Sequence, residues 1–234
     1  MVSLLQIFYD PAAVFAKVKE RGSWAVPLLV TALLTMISAF YVTHTIGMEN
    51  ITRRVFDQHP SMLGQLSPDQ KEKAIQLSAT PARLVMGSCF AGAGVPLTML
   101  IVAAILLGML AIMDRKPGFS RILGVVAWSM FPITVITCAM SVLILFLSPE
   151  PSELDPQTLL ATNFAAFLDK NSVGPFLFSL ARSFDLLAIG QVCLLSFGLS
   201  KVAGPKMGQS MALVFGLWLV WILLRGGFAA ATGF

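Results

Sequence analysis

Charge is scarce in this sequence: Asp, Glu, Lys and Arg make up only 12% of its 234 residues. Soluble domains carry about 25%, because a water-facing surface needs charge. The length would allow one or two soluble domains, but there is too little polar sequence to coat either. Cysteine is also sparse. Cys89, Cys138 and Cys193 fall in three different apolar runs, are odd in number and show no CxxC spacing. They therefore imply neither a disulfide framework nor a thiolate metal site, and they read as small buried residues. His44 and His59 stand without a second histidine, a cysteine or an HExxH pattern nearby, so no metal is expected. No GxSxG, Walker or Rossmann signature occurs, no cofactor is implied, and the chain is read as non-enzymatic. No cleavable leader is expected either. Met1 to Phe8 is apolar but short and lacks a basic start, so the first spanning helix is expected to serve as the insertion signal.

Apolar sequence takes the place of what is missing. Hydrophobic residues reach 56% and the mean hydropathy is +0.81. Five runs are long enough for a hydrocarbon layer about 30 Å thick: 24–44, 84–113, 122–147, 176–202 and 211–228, the last interrupted by Arg225 and Gly226-Gly227. Backbone groups in lipid must be paired within their own segment, and no ten-residue alternation of a barrel is visible. The expected fold is therefore all-α: a polytopic five-helix transmembrane bundle with short interfacial amphipathic helices.

Residues 1–23 form an N-terminal cytosolic or interfacial segment and residues 24–234 the transmembrane domain. Asp10-Pro11 is an N-cap followed by a first-turn proline. Beyond it Val14, Phe15 and Val18 share a face, with Lys17, Lys19 and Arg21 around it. The pattern predicts a basic amphipathic helix on the membrane surface, either a plain anchor or a docking helix for a cytosolic protein. Ser67-Pro68-Asp69-Gln70 fits a capping box, so a helix is expected through Leu77, and Thr80-Pro81 is a candidate cap for the second span. A further interfacial helix is expected after Asp155-Pro156, where Leu160, Phe164, Phe167 and Leu168 form an apolar stripe.

The formal net charge of +4 does not point to nucleic acid, because the basic residues lie scattered between apolar runs. Lys17, Lys19 and Arg21, then Arg115, Lys116 and Arg121, then Lys201 and Lys206 occupy alternate connections. The connection between spans three and four has Lys170 against Glu150, Glu153, Asp155 and Asp169. The bias of Lys and Arg toward the cytoplasmic side puts the N-terminus inside and the C-terminus outside.

Arg182 and Asp185 are the intramembrane polar candidates. Asp185 would lie nine residues into span four, about 13 Å deep at 1.5 Å per residue, with Arg182 on the same helical face. Such a pair is either an ion or substrate relay or a structural ion pair that orients the helix. Ser88, Gly92, Ala104 and Gly108 are helix-packing candidates, for contact inside one chain or between two. Pro96 and Pro132 are kink candidates.

Four stretches resemble the Yip1-domain membrane proteins in their bacterial branch. They are FYDPAAVFAKVKERGSWAVP (8–27), GFSRILGVVAWSMFP (118–132), DLLAIGQVCLLSFGLSKV (185–202) and the small-and-basic loop leading into the last span (208–224). Where the family often carries Trp, a few residues after the Asp of span four, this chain has Ile189. The resemblance implies a Yip1-like transmembrane domain over 24–234 and a cytosolic N-terminus. Eukaryotic relatives act in vesicle traffic with Rab-type small GTPases, but the short N-terminal segment here offers little surface for that role. The expected setting is the bacterial inner membrane. The expected partners are the bilayer and either a membrane protein or a second copy, through which the chain organises partners or lipids. The alternative is a small transporter or channel using Arg182 and Asp185.

Overall fold

The computed structural model describes residues 4–58, 67–156, 158–160, 162–168 and 173–232. His59, Asp169 and Lys170 lie outside the described residues. The helices are α1 (Gln6–Tyr9), α2 (Pro11–Arg21), α3 (Ala25–Ile46), α4 (Met48–Gln58), α5 (Pro68–Ser78), α6 (Pro81–Ile112), α7 (Phe119–Leu147), α8 (Pro175–Ser183), α9 (Leu186–Ala203) and α10 (Met207–Thr232). Among the described residues no strand forms; Asn163 and Asp185 make an isolated antiparallel bridge.

Helices α3, α6, α7, α9 and α10 are long and apolar enough to cross a membrane. Within them only 17% of the α3 window and 33% of the α9 window is buried inside the chain, so most of this apolar surface faces outward. Removal from water is worth roughly 25 cal/mol per Å² of apolar area; these outward faces gain it only from lipid. Several polar side chains in the spans are satisfied locally, as lipid favours, whereas the buried Ser210 hydroxyl has no partner. Thr31, Ser88, Ser129 and Ser196 each donate to the carbonyl four residues earlier. Helices α6 and α7 run unbroken through Pro96 and Pro132.

Helix α3 packs against α6 and α7, α7 against α9, and α9 against α10. The core lies around α7, where Ile122, Val125, Val126 and Trp128 are buried. Helix α2 is part of this core. Asp10 caps it by accepting from the Ala13 amide, and Val14, Phe15 and Val18 are fully buried against α7 and α9. Its apolar face is therefore covered by protein rather than left to lipid. Two glycines admit it. A Cβ on Gly198 would meet the Phe15 ring at 2.6 Å, and one on Gly124 would meet Val18 Cγ1 at 2.8 Å. Gly22 then ends α2 in the left-handed region (φ 59°), which glycine adopts without steric cost. The indole Nε1 of Trp128 donates to the Ser23 carbonyl at 2.8 Å, and Ser120 Oγ donates to the Gly22 carbonyl at 3.1 Å.

Between the first two spans the capping box forms as the sequence predicts, with Ser67 and Gln70 bonding each other's backbone amides. Thr80 does begin α6, but its hydroxyl turns back to the Leu77 carbonyl and caps nothing. The segment after Asp155 forms turns and a 3-10 helix over Phe164–Phe167 where a longer amphipathic helix was expected. Its backbone pairs across a strand-like bridge instead: Phe164 N donates to Phe184 O and Leu186 N to Thr162 O.

Candidate functional site

The fourth apolar run is divided. Helix α8 ends at Ser183, Phe184 leaves the helical region, and α9 starts at Leu186. Asp185 is the N-cap of α9: its Oδ1 accepts from the amides of Leu187 (2.7 Å) and Ala188 (3.3 Å). Its Oδ2 accepts from Thr162 Oγ1 at 2.6 Å. Both expectations drawn from a continuous span are corrected. Asp185 is not buried mid-span, and it does not share a helical face with Arg182, which belongs to α8. The physical reason is length. The 18 residues of α9 measure about 27 Å, nearly the full hydrocarbon thickness of about 30 Å. Asp185 therefore stands at the end of a helix of membrane-spanning length rather than within one.

Arg182 and Asp185 nevertheless meet in space. Both line a cleft of about 280 Å³, together with Thr137 and Ser141 of α7, Pro156, Leu159, Leu160 and Asn163 of the connection, and Arg225 of α10. Arg182 is half-buried. Burial first, and the like charge of Arg225 second, lower its pKa from the ordinary guanidinium value, while the Asp155 carboxylate acts in the opposite sense. Arg225 is exposed. In the sequence it reads only as an interruption of the last span; the signal that could have singled it out is that it is a lone cation inside an apolar run. The cleft presents hydrogen-bond donors and fixed charge. Its one carboxylate is committed through both oxygens to a cap and a hydroxyl.

The basic candidates collect at the other end of the bundle. The Gly22–Ser120 hydrogen bond ties the end of α2 to the start of α7. The Arg115 guanidinium comes within 3.5 Å of where a Gly204 Cβ would lie, which places the α6–α7 and α9–α10 connections side by side. Lys19, Arg21, Arg115, Lys116, Arg121, Lys201 and Lys206 are all exposed there. Lys17 is half-buried, with Nζ 3.5 Å from Gln6 Oε1. Lys201 Nζ stands 5.5 Å from the centroid of the Phe197 ring, within cation–π range.

The packing candidates separate into two groups. Gly92 faces α3, where a Cβ would meet Met36 Cβ at 2.9 Å, and Ser88 is buried beside it. Ala104 is exposed, and a Cβ on Gly108 would meet nothing within 4 Å. Among the described residues no group of three or more His, Cys, Asp or Glu side chains is placed to hold a metal ion.

A family model described as Yip1 domain matches residues 5–228, nearly the whole chain and including α2. Comparison with the curated proteins and with the solved structures found no match.

Proposed function

The chain belongs to the Yip1-domain family of integral membrane proteins, and from that premise we propose that it works without catalysing a reaction, organising protein partners or lipids in the membrane. The observation that carries this reading is the shared basic end. Residues from α2, the α6–α7 connection and the α9–α10 connection, far apart in sequence, are held together there by the Ser120–Gly22 bond and by the approach of Arg115 to Gly204. A fixed cluster of exposed cations attracts anionic headgroups or an acidic protein surface. The same cluster favours a cytoplasmic N-terminus and an outside C-terminus, in a bacterial inner membrane.

Photo-crosslinkers at Lys19, Lys116 and Lys206 in the intact membrane test this. Recovery of a defined protein or lipid adduct is the expected result; recovery of the monomer alone at all three positions overturns the reading. The transporter or channel reading draws on Arg182, Asp185, Pro96 and Pro132 at membrane depth. Asp185 caps α9 rather than lying within it, which removes one of those four supports.

A further inference from the structure

The geometry points to the cleft between Arg182 and Arg225 as a binding site for a phosphate group, carried either by a phospholipid headgroup or by a small soluble phosphate compound. This deepens the reading of the chain as an organiser of lipids or partners and rests on it.

Three observations converge. The first is composition: two guanidiniums from separate helices line the same cleft as the hydroxyls of Thr137 and Ser141 and the amide of Asn163. Guanidinium is the side chain whose planar fork matches phosphate oxygens in pairs.

The second is charge. Asp185 also lines the cleft, but its oxygens accept from Thr162 and from two α9 amides, so the partial positive charge of the helix end opposes its field. Asp155 draws on Arg182, while Arg225 repels it. An anion seated between the two guanidiniums relieves that repulsion.

The third is depth. Arg225 lies 18 residues along α10 from Met207, about 27 Å at 1.5 Å per residue. Asp185 caps a helix of the same span. Both lengths match a layer about 30 Å thick, and phospholipid phosphates lie at the boundary of such a layer.

Native mass spectrometry of the full chain in neutral detergent tests the assignment. The probes are phosphatidylglycerol, diacylglycerol with the same tails, and glycerol 3-phosphate. The wild type is expected to retain phosphatidylglycerol in preference to diacylglycerol. Arg225→Gln is expected to weaken that retention about tenfold, Arg225→Lys much less, and Gly108→Ala, where a Cβ meets nothing within 4 Å, not at all. Binding of glycerol 3-phosphate with the same Arg225 dependence, and without lipid retention, assigns the site to a soluble phosphate. Equal retention of phosphatidylglycerol and diacylglycerol by the wild type with no glycerol 3-phosphate bound overturns the proposal. So does phosphate-compound binding unchanged in a folded Arg225→Gln. If that variant does not fold, Thr137→Val takes its place, with weakened retention expected and unchanged retention overturning the proposal. Failure here leaves the crosslinking result at Lys19, Lys116 and Lys206 standing, because those positions lie at the other end of the bundle.

Discussion

Phe15 rests against Gly198 so closely that a Cβ there would come within 2.6 Å of the ring. This contact joins α2 to α9 and, with Val18 on Gly124, makes the N-terminal helix an internal part of the bundle. Gly198→Ala is therefore expected to destabilise the protein by about 1–3 kcal/mol through overpacking, although alanine is the better helix former. Gly108→Ala meets nothing within 4 Å and is expected to be neutral or to stabilise by up to about 1 kcal/mol. Thermal unfolding in detergent reads both. Opposite signs are the expected result; similar losses at both sites would contradict the packing described for α2.

The Trp128–Ser23 bond holds the chain where α2 turns into the first span. Trp128→Phe keeps most of the ring but removes the donor and leaves the Ser23 carbonyl without it, at a cost of about 1–3 kcal/mol. Limited proteolysis at Lys19 and Arg21 is expected to speed up in the variant relative to cleavage elsewhere in the chain. An unchanged cleavage rate would show that the bond does not anchor α2.

Asp185 separates a cap from a relay. Asp185→Ala removes the acceptor for the Leu187 and Ala188 amides and is expected to cost about 0.5–2 kcal/mol. Asn is nearly as good an N-cap as Asp, so Asp185→Asn is expected to retain most of the stability. Unfolding midpoints of the two variants check this. Equal losses would place the importance of Asp185 in its charge.

The two ends of the bundle carry different connections. Cysteines introduced at Lys116 and Lys206 are expected to react with an impermeant maleimide from one side of the membrane, and a cysteine at Glu153 from the other. The three native cysteines are replaced first. Labelling of Lys116 and Lys206 from opposite sides would dismantle the five-span arrangement.

All five spans were legible in the sequence because long uncharged runs have a single physical solution in lipid. The start of the fourth was not. Phe176 to Val202 is apolar enough to read as one helix, and hydropathy is blind to a backbone break at Phe184. The missed signal was Asp185 itself, a preferred N-cap directly before an apolar run. The amphipathic face of α2 was read correctly as apolar, but such a face looks the same whether it meets lipid or protein. Gly124 and Gly198, with no side chain to keep a neighbour away, were the residues that distinguish the two. After Asp155 the spacing of Leu160, Phe164, Phe167 and Leu168 satisfies helical periodicity, yet the backbone of Thr162 and Phe164 pairs with Leu186 and Phe184 at the α8–α9 break. Periodicity cannot weigh a long-range bridge against a local helix. The cleft drew only two of its charged residues from the sequence reading, since Arg225 reaches it from a helix remote in the chain.

Helix α2 also sets an order of assembly. Phe15 leaves the ribosome 183 residues ahead of Gly198, the surface that receives it. At roughly 5–20 residues per second, α2 waits on the order of ten to forty seconds with its apolar face uncovered. The closing of the bundle is consequently a late event, and a chain stalled before α9 exposes Val14, Phe15 and Val18 to whatever quality-control machinery recognises unfinished membrane proteins.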